Sequence, residues 1–321
     1  MLRLLLTTLG GLVMCGATML GWPDAKSELC AELKLRYKEE RLAIANVQGK
    51  QLNIVPFGES AFSVALGLDY YMAGFFSPDG RTILGEPSQL AEKHILSIDG
   101  TLLRSVPLRF GVFRGALAPD GMKFAAEGSV RTERGEKTGL MIVYLNGREP
   151  ILVATGAMAD LDGRDGLGWS PQGDRLVYER DEQVKIYDLS TGRSTVLVPG
   201  RNPTWSPDGK WIAYQRAERR SPNGNWGKAP AMISGLDGKA TKVLMSGRPV
   251  LSALRWSPDS KYLLFGEEFH RSPNGPRDFD PGSRLVVYRL ADEATCPVLE
   301  SRSDVGGVTG RDHGWVYLKN R

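Results

Sequence analysis

Apolar residues in this chain come in short runs, each bounded by Gly, Asp, Asn, Ser or Pro. Runs of that length between turn formers predict β-strands rather than helices. Many are apolar at consecutive positions, as in RTIL, RLVY, KWIAY and KYLLF, which suits a strand covered on both faces. One segment breaks the pattern: KSELCAELKLRYKEE (26 to 40) places Leu29, Leu33 and Tyr37 at i, i+4 and i+8 and predicts a short amphipathic helix ahead of the strands.

The strand runs repeat. FSPDGRTIL (76 to 84), LAPDGMKFA (117 to 125), WSPQGDRLVY (169 to 178), WSPDGKWIAY (205 to 214) and WSPDSKYLLF (256 to 265) are versions of one unit, with prolines at 78, 119, 171, 207 and 258. A recurrence of this period with variable filler is the signature of a repeat architecture. Pro presets φ for a tight turn, Asp bonds the local backbone, and Gly accepts the positive φ that returns the chain into the next strand. Ser-Pro-Asp-Gly is therefore read as a hairpin tip. A second hairpin follows each copy, turning at Asp99-Gly100, Asn146-Gly147, near Gly192, at Asp237-Gly238 and at Ala291-Asp292-Glu293. Two hairpins per unit make a four-stranded sheet, and such sheets arranged radially are propeller blades. LAIANVQGKQLNIVPF (42 to 57) reads as a third-and-fourth-strand hairpin, and GGVTGRDHGWVYLKN (306 to 320) as a first-and-second-strand hairpin. Together they are expected to complete a sixth blade, which leaves no open sheet edge. The expected fold is all-β: a six-bladed propeller over residues 41 to 321 whose closing blade is shared by N- and C-terminal strands.

These copies resemble the TolB-like β-propeller repeat, also found in the propellers of prolyl-oligopeptidase-type enzymes. The resemblance spans roughly residues 41 to 320. It implies architecture but no single activity, because one fold hosts many functions. TolB itself carries a separate domain before its propeller, whereas here only residues 24 to 40 precede the first expected strand, so the resemblance is to the repeat and not to TolB itself.

Composition adds an address. Residues 1 to 23 hold an Arg3 followed by the apolar run LLLTTLGGLVMCGATML, the layout of an export signal or, if retained, of a membrane anchor. Cys15 and Met14 lie in this leader, where LVMC approaches a lipoprotein box except for the bulk of Met14. Export leaves Cys30 and Cys296 as an even pair in an oxidising compartment, either two buried thiols or a disulfide, and a bridge would pin the helix where the ring is sealed. The 41 basic and 37 acidic residues are interspersed, so the net charge of +4 makes no coherent field and argues against nucleic acid.

Candidate chemistry gathers on one rim. RSPNG recurs in the second-to-third-strand connections of blades 4 and 5, within QRAERRSPNGNWGKAP (215 to 230) and GEEFHRSPNGPRDFDPG (266 to 282). Blade 2 has a long connection at the same place (129 to 139). These loops carry Arg219, Arg220, Trp226, Phe269, His270, Arg271, Arg277 and Phe279, types enriched at interface centres. The expected function is a non-enzymatic, monomeric binding scaffold of the cell envelope that holds a protein or peptide partner, needs no cofactor and meets the membrane only through its leader. The rival is a lyase- or lactonase-type propeller enzyme with an axial metal. No G-x-S-x-G elbow occurs, and the residues outside the repeats are too few for a hydrolase domain. Of the three histidines, His94 is expected to pack inside blade 1, and His270 and His313 to fall on opposite rims. Asp160, Asp162 and Asp165 in DLDGRDG could offer oxygen ligands to calcium, without the remaining spacing of an EF-hand.

Overall fold

The computed structural model describes residues 28–87, 92–107, 112–132, 135–155, 166–216, 229–239, 241–244, 250, 254–270, 281–301 and 313–318. One helix, α1 (Glu28–Glu40), leads into β1 (Leu42–Val55) and β2 (Phe62–Phe76). Blade 1 continues through β3 (Thr82–Pro87), β4 (Glu92–Ser97) and β5 (Leu102–Pro107). Blade 2 is β6 (Val112–Leu117), β7 (Lys123–Thr132), β8 (Gly135–Tyr144) and β9 (Ile151–Thr155). Blade 3 is β10 (Leu167–Trp169), β11 (Arg175–Arg180), β12 (Gln183–Asp188) and β13 (Arg193–Pro199). Blade 4 is β14 (Arg201–Trp205), β15 (Trp211–Gln215), β16 (Ala231–Gly235) and β17 (Thr241–Leu244). Blade 5 is β18 (Arg255–Trp256), β19 (Tyr262–His270), β20 (Pro281–Arg289) and β21 (Thr295–Ser301), and the chain ends its described path in β22 (His313–Tyr317).

Blades 2 to 5 are separate four-stranded antiparallel meanders. The innermost strands form a closed circuit: β2 touches β6, β6 touches β10, β10 touches β14, β14 touches β18, and β22 touches both β18 and β2. The molecule is a six-bladed β-propeller, and β22 is the innermost strand of the closing blade. It pairs with the first half of β1, from Leu42↔Tyr317 to Asn46↔His313. The second half of β1 pairs with the start of β2, from Gln51↔Ala65 to Ile54↔Phe62, and the end of β2 pairs with β3. The division of the closing blade thus differs from the expected two plus two. Among the described residues the C-terminal part gives one strand, because WVY of HGWVYLKN takes the innermost place, and the outer positions come from β1 and β2.

The Ser-Pro-Asp-Gly tips owe their recurrence to the buried serine. Ser206 and Ser257 are fully buried, and each hydroxyl donates to the turn aspartate, Asp208 or Asp259, at 2.6 Å. The same oxygens accept the backbone N–H of Trp211 (2.9 Å) and Tyr262 (3.0 Å), so one side chain satisfies both strands of the hairpin. In blade 3 Gln172 replaces the aspartate, and Ser170 reaches Asp174 instead, at 2.7 Å. In blade 5 Ser260 stands where the other copies have Gly and adopts φ 61°. Its hydroxyl accepts the N–H of Asp208 at 2.9 Å, linking the turns of blades 4 and 5.

Apolar side chains fill the gaps between neighbouring blades. Val177, Val184 and Ile186 of blade 3 pack with Trp205, Ile212, Tyr214 and Met232 of blade 4. Ala125, Leu140 and Ile142 of blade 2 pack likewise with Trp169, Leu176 and Tyr178 of blade 3. That is why the strand runs are apolar at consecutive positions: each sheet has a neighbour on either face. The helix buries Leu29, Cys30, Leu33 and Tyr37 against β1 and β21. Cys30 and Cys296 form a disulfide with their Cα atoms 5.3 Å apart. Arg36 reaches Asp259 at 2.6 Å and lies over the Tyr262 ring, while Glu32 accepts from Tyr262 and Arg289. Among the described residues no helix is long and apolar enough to cross a membrane, which says nothing of a β-barrel.

Candidate functional site

Every innermost strand runs from the end of the axis that carries the long connections to the end that carries the Ser-Pro-Asp-Gly turns, so the two ends differ in chemistry. At the turn end one large apolar residue from each innermost strand faces a common ring. Phe76, Leu117, Trp169, Trp205, Trp256 and Trp315 line one small axial cavity of about 90 Å³. Trp169 Nε1 donates to the carbonyl of Ala116 (2.7 Å), Trp256 Nε1 to Thr204 (3.3 Å) and Trp315 Nε1 to Arg255 (3.2 Å). Each indole therefore ties its blade to the innermost strand of the blade before it. The repeated position of the aromatic in the sequence was the signal for this ring.

Among the described residues, two hairpins extend furthest toward the loop end. The second strands of blades 2 and 5, β7 and β19, are 10 and 9 residues long, against 6 in β11 and 5 in β15. Their pairing continues to Thr132↔Gly135 and His270↔Pro281. At about 3.3 Å per residue the excess lifts them roughly 10 Å above the ring. Blades 2 and 5 are three places apart in a ring of six, so the raised hairpins face each other across the axis. Beneath them a buried polar network joins blades 3 and 4. The backbone N–H of Asn202 donates to Glu179 (3.0 Å), Arg201 approaches the same carboxylate (3.3 Å), and Asn202 Nδ2 donates to Gln215 Oε1 (2.6 Å). In blade 5, Arg284 Nε donates to the buried Glu267 at 2.6 Å. Neither group appears in any sequence motif; isolated polar residues in strands give no cue to burial.

The expected rim residues are only partly within view. Arg219, Arg220, Trp226, Arg271, Arg277 and Phe279 lie outside the described residues, as do Asp160, Asp162 and Asp165. Phe269 and His270 are the last two positions of β19, at the summit of the blade 5 hairpin. His313 opens β22 and so belongs to the loop end, the same end as His270 and not the opposite one. The reason is the strand division above: His313 starts an innermost strand rather than sitting in a turn. It is 7% exposed, and burial, helped by the positive charge of Arg255, pushes its pKa down to about 4. His94 is 2% exposed within blade 1, where the Tyr70 hydroxyl meets its Nδ1 at 2.9 Å and Glu92 meets its Nε2 at 2.6 Å. Burial raises the Tyr70 pKa and keeps the phenol protonated, so this relay ties β2, β4 and, through Ser105, β5 together. Among the described residues no three His, Cys, Asp or Glu side chains gather as metal ligands.

Solved structures match this architecture. A TolB candidate from Agrobacterium tumefaciens superposes with a TM-score of 0.53 at 19% identity, over 87% of this chain and 98% of its own. TolB from Acinetobacter baumannii superposes with a TM-score of 0.56 at 16% identity, over 86% of this chain and 66% of its own. The fold is a TolB-like six-bladed propeller. An oligogalacturonate lyase in complex with manganese aligns at a TM-score of 0.46 and 15% identity over 81% of this chain, too loosely to bear on chemistry. No protein-family profile matches the sequence, and no curated protein does. At these identities the TolB-like likeness is one of fold, and function has to be argued from the site.

Proposed function

We propose that the chain is a non-enzymatic scaffold of the cell envelope that holds a protein or peptide partner on its loop rim. The observation that carries this reading is the pair of extended hairpins on opposed blades 2 and 5, set on a ring stiffened by buried hydrogen bonds. Long connections on a rigid frame are where binding residues concentrate. By sequence the duplicated RSPNG segments, with Arg219, Arg220, Trp226, Arg271, Arg277 and Phe279 around them, lie between β15 and β16 and between β19 and β20, and the reading assigns them to this rim. Export to the envelope is supported by the apolar leader in residues 1 to 23 and by the Cys30–Cys296 disulfide, a bond that persists outside the reducing cytoplasm.

A photo-crosslinking residue placed at Phe269 is expected to give one defined adduct in envelope extract. Replacing residues 220–224 and 271–275 by short turns should remove the adduct without lowering the thermal midpoint. A crosslinker at Lys210, on the turn face, should give none. Equal adducts from both faces, or an adduct that survives the loop replacement, would count against the rim; stoichiometric metal in the purified protein would favour a lyase- or lactonase-type enzyme instead.

A further inference from the structure

The outer surface of the turn end is unusually apolar. Among the described residues nine large apolar side chains are exposed. Six of them belong to this end: Leu35 on α1, Phe62 at the start of β2, Leu102 and Leu103 at the start of β5, Met122 in the first turn of blade 2 and Leu236 in the second turn of blade 4. Phe62 is placed here by Gly58, just before it in the chain, which lies against Lys34 of α1. Single exposed apolar residues are ordinary, but these come from the helix and from several blades and share one end of the axis. Between blades 4 and 5 the same face opens into a groove of about 790 Å³ with Trp211, Ile233 and Leu290 in its wall, where Arg289 is already paired with Glu32 and Asp292.

The helix sets what this face meets. It lies across the turn end of blade 5, where Arg36 reaches Asp259 and Glu32 meets Tyr262 and Arg289. It begins at Glu28, and only residues 21 to 27 separate it from the apolar run of residues 4 to 20. Seven residues span at most about 25 Å, so a run of this kind seated in a membrane holds the turn face, and not the loop rim, beside it. We infer that the turn face of the propeller rests on a lipid bilayer, with its exposed apolar side chains entering below the headgroups. The turn aspartates Asp79, Asp120, Asp208 and Asp237 accept backbone N–H groups of their own turns at 2.9 to 3.1 Å, so these donors are already satisfied when the tips leave bulk water. Their charges stay at headgroup level, where Lys210 accompanies Asp208. The loop rim then points away from the membrane, although the inference does not depend on what the rim binds.

The test uses the full chain on vesicles of phosphatidylethanolamine and phosphatidylglycerol, with a diazirine residue placed at Leu103, at Met122 or at Asp181. The last is the control, because it caps the loop-end hairpin of blade 3 at Arg180↔Gln183. Lipid adducts are expected at Leu103 and Met122 and none at Asp181. Leu35→Ser/Leu102→Ser should lower the Met122 adduct about 10-fold by removing two apolar contacts, with the thermal midpoint unchanged. Molar salt should leave the yield as it was, since screening acts on charges and not on apolar contact. Adducts at all three positions, or at none, would mean that the leader alone tethers a ring with no preferred face, and would overturn the inference. A yield abolished by salt would overturn it too, as would a protein adduct at Leu103 when envelope extract replaces the vesicles. The rim is read by a protein adduct at the other end of the axis, so either proposal can fail without the other.

Discussion

The seam between blades 3 and 4 and the seam that closes the ring achieve the same contact by different means. Blades 3 and 4 follow one another in the chain, and between them lie an apolar cluster and the network of Glu179, Arg201, Asn202 and Gln215. At the closing blade the partners are far apart in sequence, β22 against β1, and a helix fastened by a disulfide spans blade 5 and β1 beside them. A seam carried by the continuous chain relies on local polar detail; one that joins distant segments adds a covalent latch.

The largest effect should come from breaking that latch. The disulfide links residues 266 positions apart, and on the chain-entropy account its loss in Cys30→Ser/Cys296→Ser costs on the order of 5 kcal/mol. Urea unfolding measures the total, and hydrogen exchange should show β1 and β22 losing protection before β14. Exchange that accelerates evenly around the ring would erase the contrast between the seams.

Next is the internal seam. Glu179→Gln removes the charge facing the buried Arg201 and should destabilise by about 3 kcal/mol, with most of the loss recovered when Arg201→Met is added, because the pair is costly chiefly when half-broken. Chemical denaturation of the single and double variants checks both parts.

The closing strand has its own pH window. His313 keeps a native pKa near 4, below its ordinary value of 6.5. The unfolded chain therefore binds the extra proton between those values, and stability is full above pH 6.5 and falls as pH drops toward 4, by on the order of 3 kcal/mol. His313→Gln should flatten that slope in thermal midpoints taken from pH 7 to 4; an unchanged slope would place the acid sensitivity elsewhere.

The smallest effects compare the turns of blades 4 and 5. Gly209→Ser imposes a side chain at φ 77° and should cost about 1 kcal/mol. Ser260→Gly relieves a similar strain but loses the hydroxyl that accepts from Asp208, so the two changes offset to within about 0.5 kcal/mol. Calorimetric midpoints of the two variants should differ in that order.

Much of the fold could be read in the residues because it rests on short-range rules. The Ser-Pro-Asp-Gly tips, the Asp-Gly and Asn-Gly hairpins and the Leu29, Leu33, Tyr37 stripe each encode a local backbone choice, and the structure has them where the pattern put them. The division of the closing blade escaped because it depends on which strand occupies the innermost place, a long-range matter on which the apolar runs around Trp315 and Ile44 are silent. FSVALGLDYYMAGFF reads as one run yet serves two blades, its start pairing with β1 and its end with β3. The site was legible only as a rim. Arg201, Asn202 and Gln215 look in sequence like ordinary polar residues, and their burial follows from the approach of two blades. Trp205 looks identical to Trp169 and Trp256, and only three-dimensional contacts reveal that its donor is spare.

The pairing of Leu42 with Tyr317 also orders events in time. Contacts between segments so remote form late, after the local hairpins, so a nascent ring must pass through an incomplete stage in which β1 presents a bare edge. In a concentrated population that edge would accept the equivalent segment of another molecule in the same register, and two chains could mature as an exchanged pair.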